Sequence, residues 1–280
     1  MTYRPTVRGR RLARELRRLR ELQRLTLQEV ADRLDWSRAT VSRLETGQTR
    51  PKPNDIADLL DLYGVPSPQR DALITLAREA GQRGWWTAYA DVFTGSYVAL
   101  EDEASLIRTW DTQLIHGLLQ TEDYARAVIT AGRMLPTTED IERRIDARKA
   151  RQALLNRERA PQIHLIFDEC VLKRPIGGPG VMRAQLEWLL ELAERPQITI
   201  QVLPFEAREH AGLDGRFTIL SFPDPADPDI AYVEGTMGDV YLESAEAIAS
   251  HGERFERIMK QAMSPEDSAP LIAEAARSSP

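Results

Sequence analysis

A chain of 280 residues, 42% hydrophobic and 29% charged, has apolar mass for about two ordinary globular domains. Its single cysteine, Cys170, excludes an internal disulfide and a cysteine-rich zinc site, no apolar run approaches the roughly 20 residues that span a bilayer, and the arginine-rich start lacks a signal peptide's apolar core; the expectation is a cytoplasmic protein. The net charge of −6 hides an asymmetry, because residues 1–52 hold 14 Arg and Lys against 6 Asp and Glu while the remainder holds 23 against 37.

The spacing of Leu12, Leu16 and Leu19 predicts a first helix over Val7–Leu22, with Arg8, Arg10, Arg11, Arg14, Arg17, Arg18 and Arg20 on its other faces. Thr26 and Glu29 form a capping-box pattern for a second helix, Leu27–Leu34. Ser37 caps a third, Arg38–Thr46, stopped at Gly47. Pro53-Asn54 opens a fourth through Leu62, and Ser67-Pro68 a fifth through Ala80. Five short helices give an all-α bundle over residues 1–80, with Gly81–Gly84 as the boundary.

Residues 81–96 read as an aromatic-rich connector, where Trp85, Trp86, Tyr89 and Phe93 crowd ahead of Tyr97 and Trp110. Helices follow at Thr121–Gly132, Thr138–Arg159, Pro179–Glu194 and Ser244–Met263. Strand-like runs fall at Ile163–Phe167, Ile198–Leu203, Phe217–Phe222, Ile230–Glu234 and Val240–Leu242. Strands bunched between helices predict a multi-domain chain in which the bundle precedes an α+β domain over 97–265, with a mainly antiparallel sheet. Residues 266–280 read as a polar tail with Pro270 and Pro280.

The segment from Leu25 to Gly47 has the layout of a helix-turn-helix. Val30, Leu34, Val41 and Leu44 lock two helices together, Ala31 is small where they approach, and the short turn Asp35–Ser37 makes the third helix protrude. A protruding helix with a polar outer face fits the major groove. Thr26, Glu29-Val30-Ala31, Ser37, Val41-Ser42-Arg43-Leu44-Glu45, Gly47 and Arg50-Pro51 resemble the phage-repressor (Cro/C1-type, XRE) helix-turn-helix family over about residues 8–65. By the family's geometry, Ser37, Arg38, Ala39, Thr40, Ser42 and Arg43 would read bases. Arg38 and Arg43 suit guanine, and Ala39 and Thr40 suit thymine methyls. Thr49, Arg50 and Lys52 would contact phosphates. Relatives place a phosphate-reaching glutamine directly after the second helix's N-cap; Leu27 stands there, and Gln28 follows as its substitute.

A second resemblance rests on residues 117–126, from Gly117-Leu118-Leu119-Gln120-Thr121 to Arg126, on Arg151–Leu155, and on Asp168-Glu169 with Leu172–Gly178. It continues through Gln185-Leu186 and Gln201–Phe205. Together these are similar to the domain of unknown function that follows a helix-turn-helix in actinobacterial regulators, including WhiJ-like ones. His116 stands where relatives usually have proline. The resemblance implies an antitoxin-like transcriptional regulator, often encoded beside a small BldB-like protein that would be its partner.

Signals for catalysis are thin, and no enzyme, cofactor or metal is expected. Asp168 and Glu169 are adjacent at a strand end and point apart. His164 at strand spacing reads as a satisfied side chain. Glu209-His210 with Asp214 lacks a second histidine for a metal. Gly177-Gly178-Pro179-Gly180 lacks the P-loop lysine and hydroxyl and reads as a turn opening a helix. Cys170 has no base beside it and reads as a small buried residue. The sequence therefore reads as a homodimeric, sequence-specific regulator of double-stranded DNA whose C-terminal domain binds a small partner protein. The alternative is a sensor with a pocket lined by Trp85, Trp86, Trp110 and Trp188.

Overall fold

The computed structural model describes residues 6–80, 84–93, 96–132, 137–235 and 238–278. The boundary glycine Gly81, parts of the aromatic connector (81–83 and 94–95) and the terminal Pro280 lie outside the described residues. Two compact units divide the chain, residues 1–103 and 104–280.

The first unit opens with five helices: α1 (Val7–Leu22), α2 (Leu27–Leu34), α3 (Arg38–Glu45), α4 (Pro53–Leu62) and α5 (Gln69–Ala80). Local chemistry sets their ends. The Thr6 side chain caps α1 through the Gly9 N–H, and Thr26 and Glu29 close the capping box of α2 in both directions. Ser37 accepts the Thr40 N–H to start α3, and Gly47 after it sits at φ 66°, a left-handed conformation that disfavours any side chain. Apolar faces of all five helices meet in one core of Leu12, Leu16, Leu19, Val30, Val41, Leu44, Ile56, Leu59, Leu60 and Leu73. Ala31 is fully buried where α2 meets α3. A 3-10 turn (Trp85–Tyr89) and a short helix, α6 (Tyr97–Glu103), complete the unit. There Trp85 donates its indole N–H to Asp102 (2.7 Å).

The second unit is α+β, built on a six-stranded sheet: β1 (Leu106–Asp111), β2 (Gln162–Asp168), β3 (Ile198–Leu203), β4 (Phe217–Ser221), β5 (Ile230–Val233) and β6 (Val240–Leu242). Its order is β3-β2-β1-β4-β5-β6, with β1, β2 and β3 parallel and β1, β4, β5 and β6 antiparallel. The expected mainly antiparallel sheet is thus corrected to a mixed one. Helices α7 (Glu122–Ala131) and α8 (Thr138–Gln152) carry the chain from β1 to β2, and α9 (Cys170–Lys173) and α10 (Pro179–Ala193) from β2 to β3. Such crossovers allow parallel pairing. Strand β1, missing from the sequence reading, is the central strand. Its charges at Arg108 and Asp111 broke the apolar pattern, yet Arg108 bonds Asp229 (3.2 Å) and Asp111 is buried.

Helix α11 (Ala245–Gln261) covers one face of the sheet. Its Phe255 and Ile258 pack with Trp110, Ile166, Leu203, Phe217 and Ile219. Alternation along the strands sends Ile107, Ile163, Leu165 and Phe167 to the opposite face, where they are buried as well. The segment expected as a polar tail is a helix, α12 (Pro265–Ser278), with Ile272, Ala275 and Ala276 buried. It packs beside α10 and β3. Its Ser268 hydroxyl accepts the Val202 N–H (3.0 Å), while Val202's carbonyl accepts the Met263 N–H (2.9 Å). The outer edge of β3 is thereby capped at Val202, a contact that ties the proline-containing segment to the sheet.

Candidate DNA-binding interface

Helix α3 is held from behind and free in front. Val41 and Leu44 face the core, while Ser37, Arg38, Ala39 and Arg43 are exposed and Thr40 and Ser42 half-buried. Ser37 and Thr40 are partly committed to capping, their hydroxyls pairing at 2.9 Å. Gln28 lies exposed on α2 and donates to Asp32 (2.7 Å), and Thr49, Arg50 and Lys52 follow α3 in the loop before α4, Arg50 and Lys52 exposed. The residues expected to read bases and those expected to reach phosphates therefore share one stretch of the bundle, from the front of α3 into that loop.

The arginines divide into two populations. All seven on α1 interact within the chain: Arg8 with Glu79 and Glu103, Arg17 with Glu21, Arg18 with Glu15, Arg20 with Glu45, and Arg10, Arg11 and Arg14 with further groups. Among the described residues Arg38, Arg43, Arg50 and Lys52 form no ion pair. Arg24 in the turn after α1 and Arg33 on α2 likewise form no ion pair among the described residues, so uncompensated positive charge runs from the end of α1 through α3 and its following loop rather than along α1 itself. Unpaired cations release counterions when they meet a phosphate, without first breaking an internal pair.

Sequence reasoning missed how α3 is fixed. Arg20 reaches from α1 to Glu45 near the end of α3, with Nε 2.8 Å from Oε1 and Nη2 2.9 Å from Oε2, and its Nη1 donates to the Leu25 carbonyl (2.7 Å). Their side chains are 12% and 4% exposed, so this is an interior pair, and the Glu45 carboxylate holds the guanidinium even more firmly protonated. The nearby Tyr63 hydroxyl is buried, which with Glu45 raises its pKa. A charge on the eighth residue of a helix carries no period that would reveal such a partner.

Groups considered for chemistry in the second unit have structural partners. His164 meets Gln201 through Nε2 (2.6 Å) and packs edge-on against Phe255, and burial lowers its pKa. Asp168 accepts the Cys170 N–H (2.9 Å) and Glu169 the Phe205 N–H (3.0 Å). The half-buried Cys170 thiol donates to the Thr112 carbonyl (2.9 Å), and burial pushes its pKa up to about 12. Asp214 pairs with Arg254 (2.8 Å), and among the described residues no three His, Cys, Asp or Glu side chains gather as metal ligands. Gly177 and Gly178 take φ 75° and 90° in the turn ahead of α10, whose first residue is Pro179.

The Gly117–Thr121 motif is a hydrogen-bonded corner. Gln120 donates to the Ile115 carbonyl (2.7 Å) and accepts from Arg148 (2.8 Å), while buried Gln185 accepts the Thr121 N–H (2.6 Å) and donates to the Leu119 carbonyl (2.9 Å). Beside it, burial pushes Asp111 up to about 6 despite Arg216 (3.4 Å). Burial, with Arg151, Arg216 and Arg148 nearby, lowers His116 well below its usual value. Of the four tryptophans suggested as a pocket lining, Trp110 is fully buried in the core under α11, and its indole donates to the Gly212 carbonyl (3.0 Å).

Comparison with protein families places two matches on these units. Residues 11–73 match a helix-turn-helix domain, and residues 94–274 match a domain of unknown function (DUF5753). No curated protein and no solved structure matches the chain. No helix is long and apolar enough to cross a membrane among the described residues. The chain belongs to the DUF5753 family and carries that domain behind a DNA-binding helix-turn-helix.

Proposed function

We propose that this DNA-binding regulator is a cytoplasmic transcriptional regulator of the phage-repressor (XRE) type that binds a specific operator as a homodimer. The observation that carries the reading is the contrast between the internally paired arginines of α1 and the unpaired, exposed Arg38, Arg43, Arg50 and Lys52. Arg38, Ala39, Thr40, Ser42 and Arg43 read base edges with Ser37 at the helix start, and Gln28, Thr49, Arg50 and Lys52 hold phosphates. Two copies would place their recognition helices about 34 Å apart on a near-palindromic site.

The second unit acts by binding rather than by catalysis, in an antitoxin-like arrangement of the WhiJ-like kind with a small BldB-like protein encoded nearby. The solvent exposure of Phe205, Leu213 and Val240 favours this reading, since large apolar side chains left in water suit a partner's surface. Genome-wide recovery of bound DNA, with and without the neighbouring small protein, tests both halves. A recurring two-fold motif whose occupancy changes with that protein is the expected result. Failure of the purified chain to bind any duplex at low ionic strength overturns the DNA reading.

A further inference from the structure

A cleft of about 340 Å³ opens in the second unit between α11 and the loop from β3 to β4, lined by Glu209, His210, Ala211, Arg257, Lys260 and Gln261. Its volume lies within the range of small-ligand sites. Arg257, Lys260 and Gln261 stand at i, i+3 and i+4 on α11 and so share one helix face.

The opposite wall is tied to the core. The His210 ring packs edge-on against Trp110 (5.3 Å between centroids), and Trp110 is completely buried. The Trp110 indole donates to the Gly212 carbonyl, while the Gly212 N–H donates to His210 Nδ1 (3.1 Å). Since Nδ1 accepts, the neutral ring carries its proton on Nε2 and offers a donor there. Ala207 and Ala211 of the same loop pack into the core under α11, and Gln261 ties α11 to the Glu209 carbonyl (3.4 Å).

Charge defines what such a cleft takes. Residues 104–280 hold 20 Arg and Lys against 28 Asp and Glu, so a cationic cleft runs against the unit's net charge. Neither Arg257 nor Lys260 has an ion-pair partner among the described residues. The only acidic side chain in the lining is Glu209. Two cations and one imidazole donor around one carboxylate leave a net positive cleft with several N–H donors, the complement of a carboxylate or phosphate group.

We propose that this cleft binds a small organic anion through its carboxylate or phosphate group, held by Arg257, Lys260 and His210, with Glu209 setting a limit on the ligand's negative charge. The site belongs to the second unit and does not depend on the residues assigned to DNA.

Calorimetric titration of the full chain, without DNA, with inorganic phosphate in one arm and succinate in the other tests the proposal and separates the two anion chemistries. Saturable binding of at least one probe is expected, weakened tenfold or more in Arg257→Gln/Lys260→Gln and tightened in Glu209→Gln. Both changes fall on exposed side chains, so the fold is retained and circular dichroism verifies it. A Arg38→Gln/Arg50→Gln control must keep the wild-type affinity, since anions held by the DNA-binding unit would fail there instead. Absence of saturation by both probes, or an affinity unchanged in Arg257→Gln/Lys260→Gln, overturns the proposal and leaves the DNA reading untouched.

Discussion

Arg20 and Glu45 meet across the bundle through Nε–Oε1 and Nη2–Oε2 contacts of 2.8 and 2.9 Å, tying the back of the recognition helix to the first helix. Removing one member leaves the other charge buried and unpaired. Glu45→Gln is expected to destabilise the first unit by about 3–5 kcal/mol, whereas replacing both with apolar residues costs far less. Urea denaturation of wild type, single and double variants checks this; equal losses for single and double would refute it.

The two populations of arginine make opposite forecasts for DNA. Arg43→Ala should cost about 1–3 kcal/mol at its cognate base and relax specificity there. Arg50→Ala should weaken binding to all sequences alike and shallow the salt dependence by about one unit. Arg17→Gln, whose parent is engaged with Glu21, should change affinity little. Fluorescence anisotropy on specific and random duplexes over a salt series separates the three.

Ser37 starts α3 by accepting the Thr40 N–H at 3.1 Å. Ser37→Ala removes that acceptor and is expected to cost about 1 kcal/mol of stability, while Ser37→Gly costs only a few tenths. Thermal denaturation ranks the two, and the reverse order would mean the cap contributes nothing.

Asp111 sets a pH dependence. Its folded pKa is raised to about 6 by burial, above the value for an exposed aspartate, so the folded state holds its proton more tightly. Its contribution to stability is therefore present at low pH and is lost as pH rises toward 6. Asp111→Asn should remove that decline. Melting temperatures of both proteins between pH 4 and 7 should show wild type losing ground to the variant as pH increases; parallel curves would refute the assignment.

Gly212 lies so close to the buried Trp110 indole that an added Cβ would collide with it. Gly212→Ala is expected to destabilise by roughly 1–3 kcal/mol through overpacking. The effect should be smaller in a Trp110→Phe background, which removes the indole nitrogen. Denaturation of the four proteins of that cycle measures the coupling.

Much of the bundle was legible because each helix carries its own punctuation. Thr26 with Glu29, Ser37, Gly47 and Pro53 act within one turn of chain, and the structure uses each at a helix end. The five strands read from apolar runs also stand where the sequence put them. What escaped depends on distant partners. Strand β1 hid behind Arg108 and Asp111, whose charges are satisfied by Asp229 and Arg216 more than 100 residues later. Its parallel pairing with β2 follows from two helical crossovers, whereas proximity of strands in sequence suggested antiparallel neighbours. At the interface, position along α3 was readable, but which arginines remain uncompensated was not, because Glu45, Glu79 and Glu103 lie far from their partners in sequence.

Because β1 joins the parallel strands β2 and β3 to the antiparallel strands β4 to β6, it decides where this chain can be cut. A fragment that begins after Asp111 would retain every helix from α7 onward yet split into two half-sheets with new raw edges. Anyone isolating the C-terminal half for binding work should start it no later than Ala104 and keep α12, which bonds the far edge of β3 at Val202.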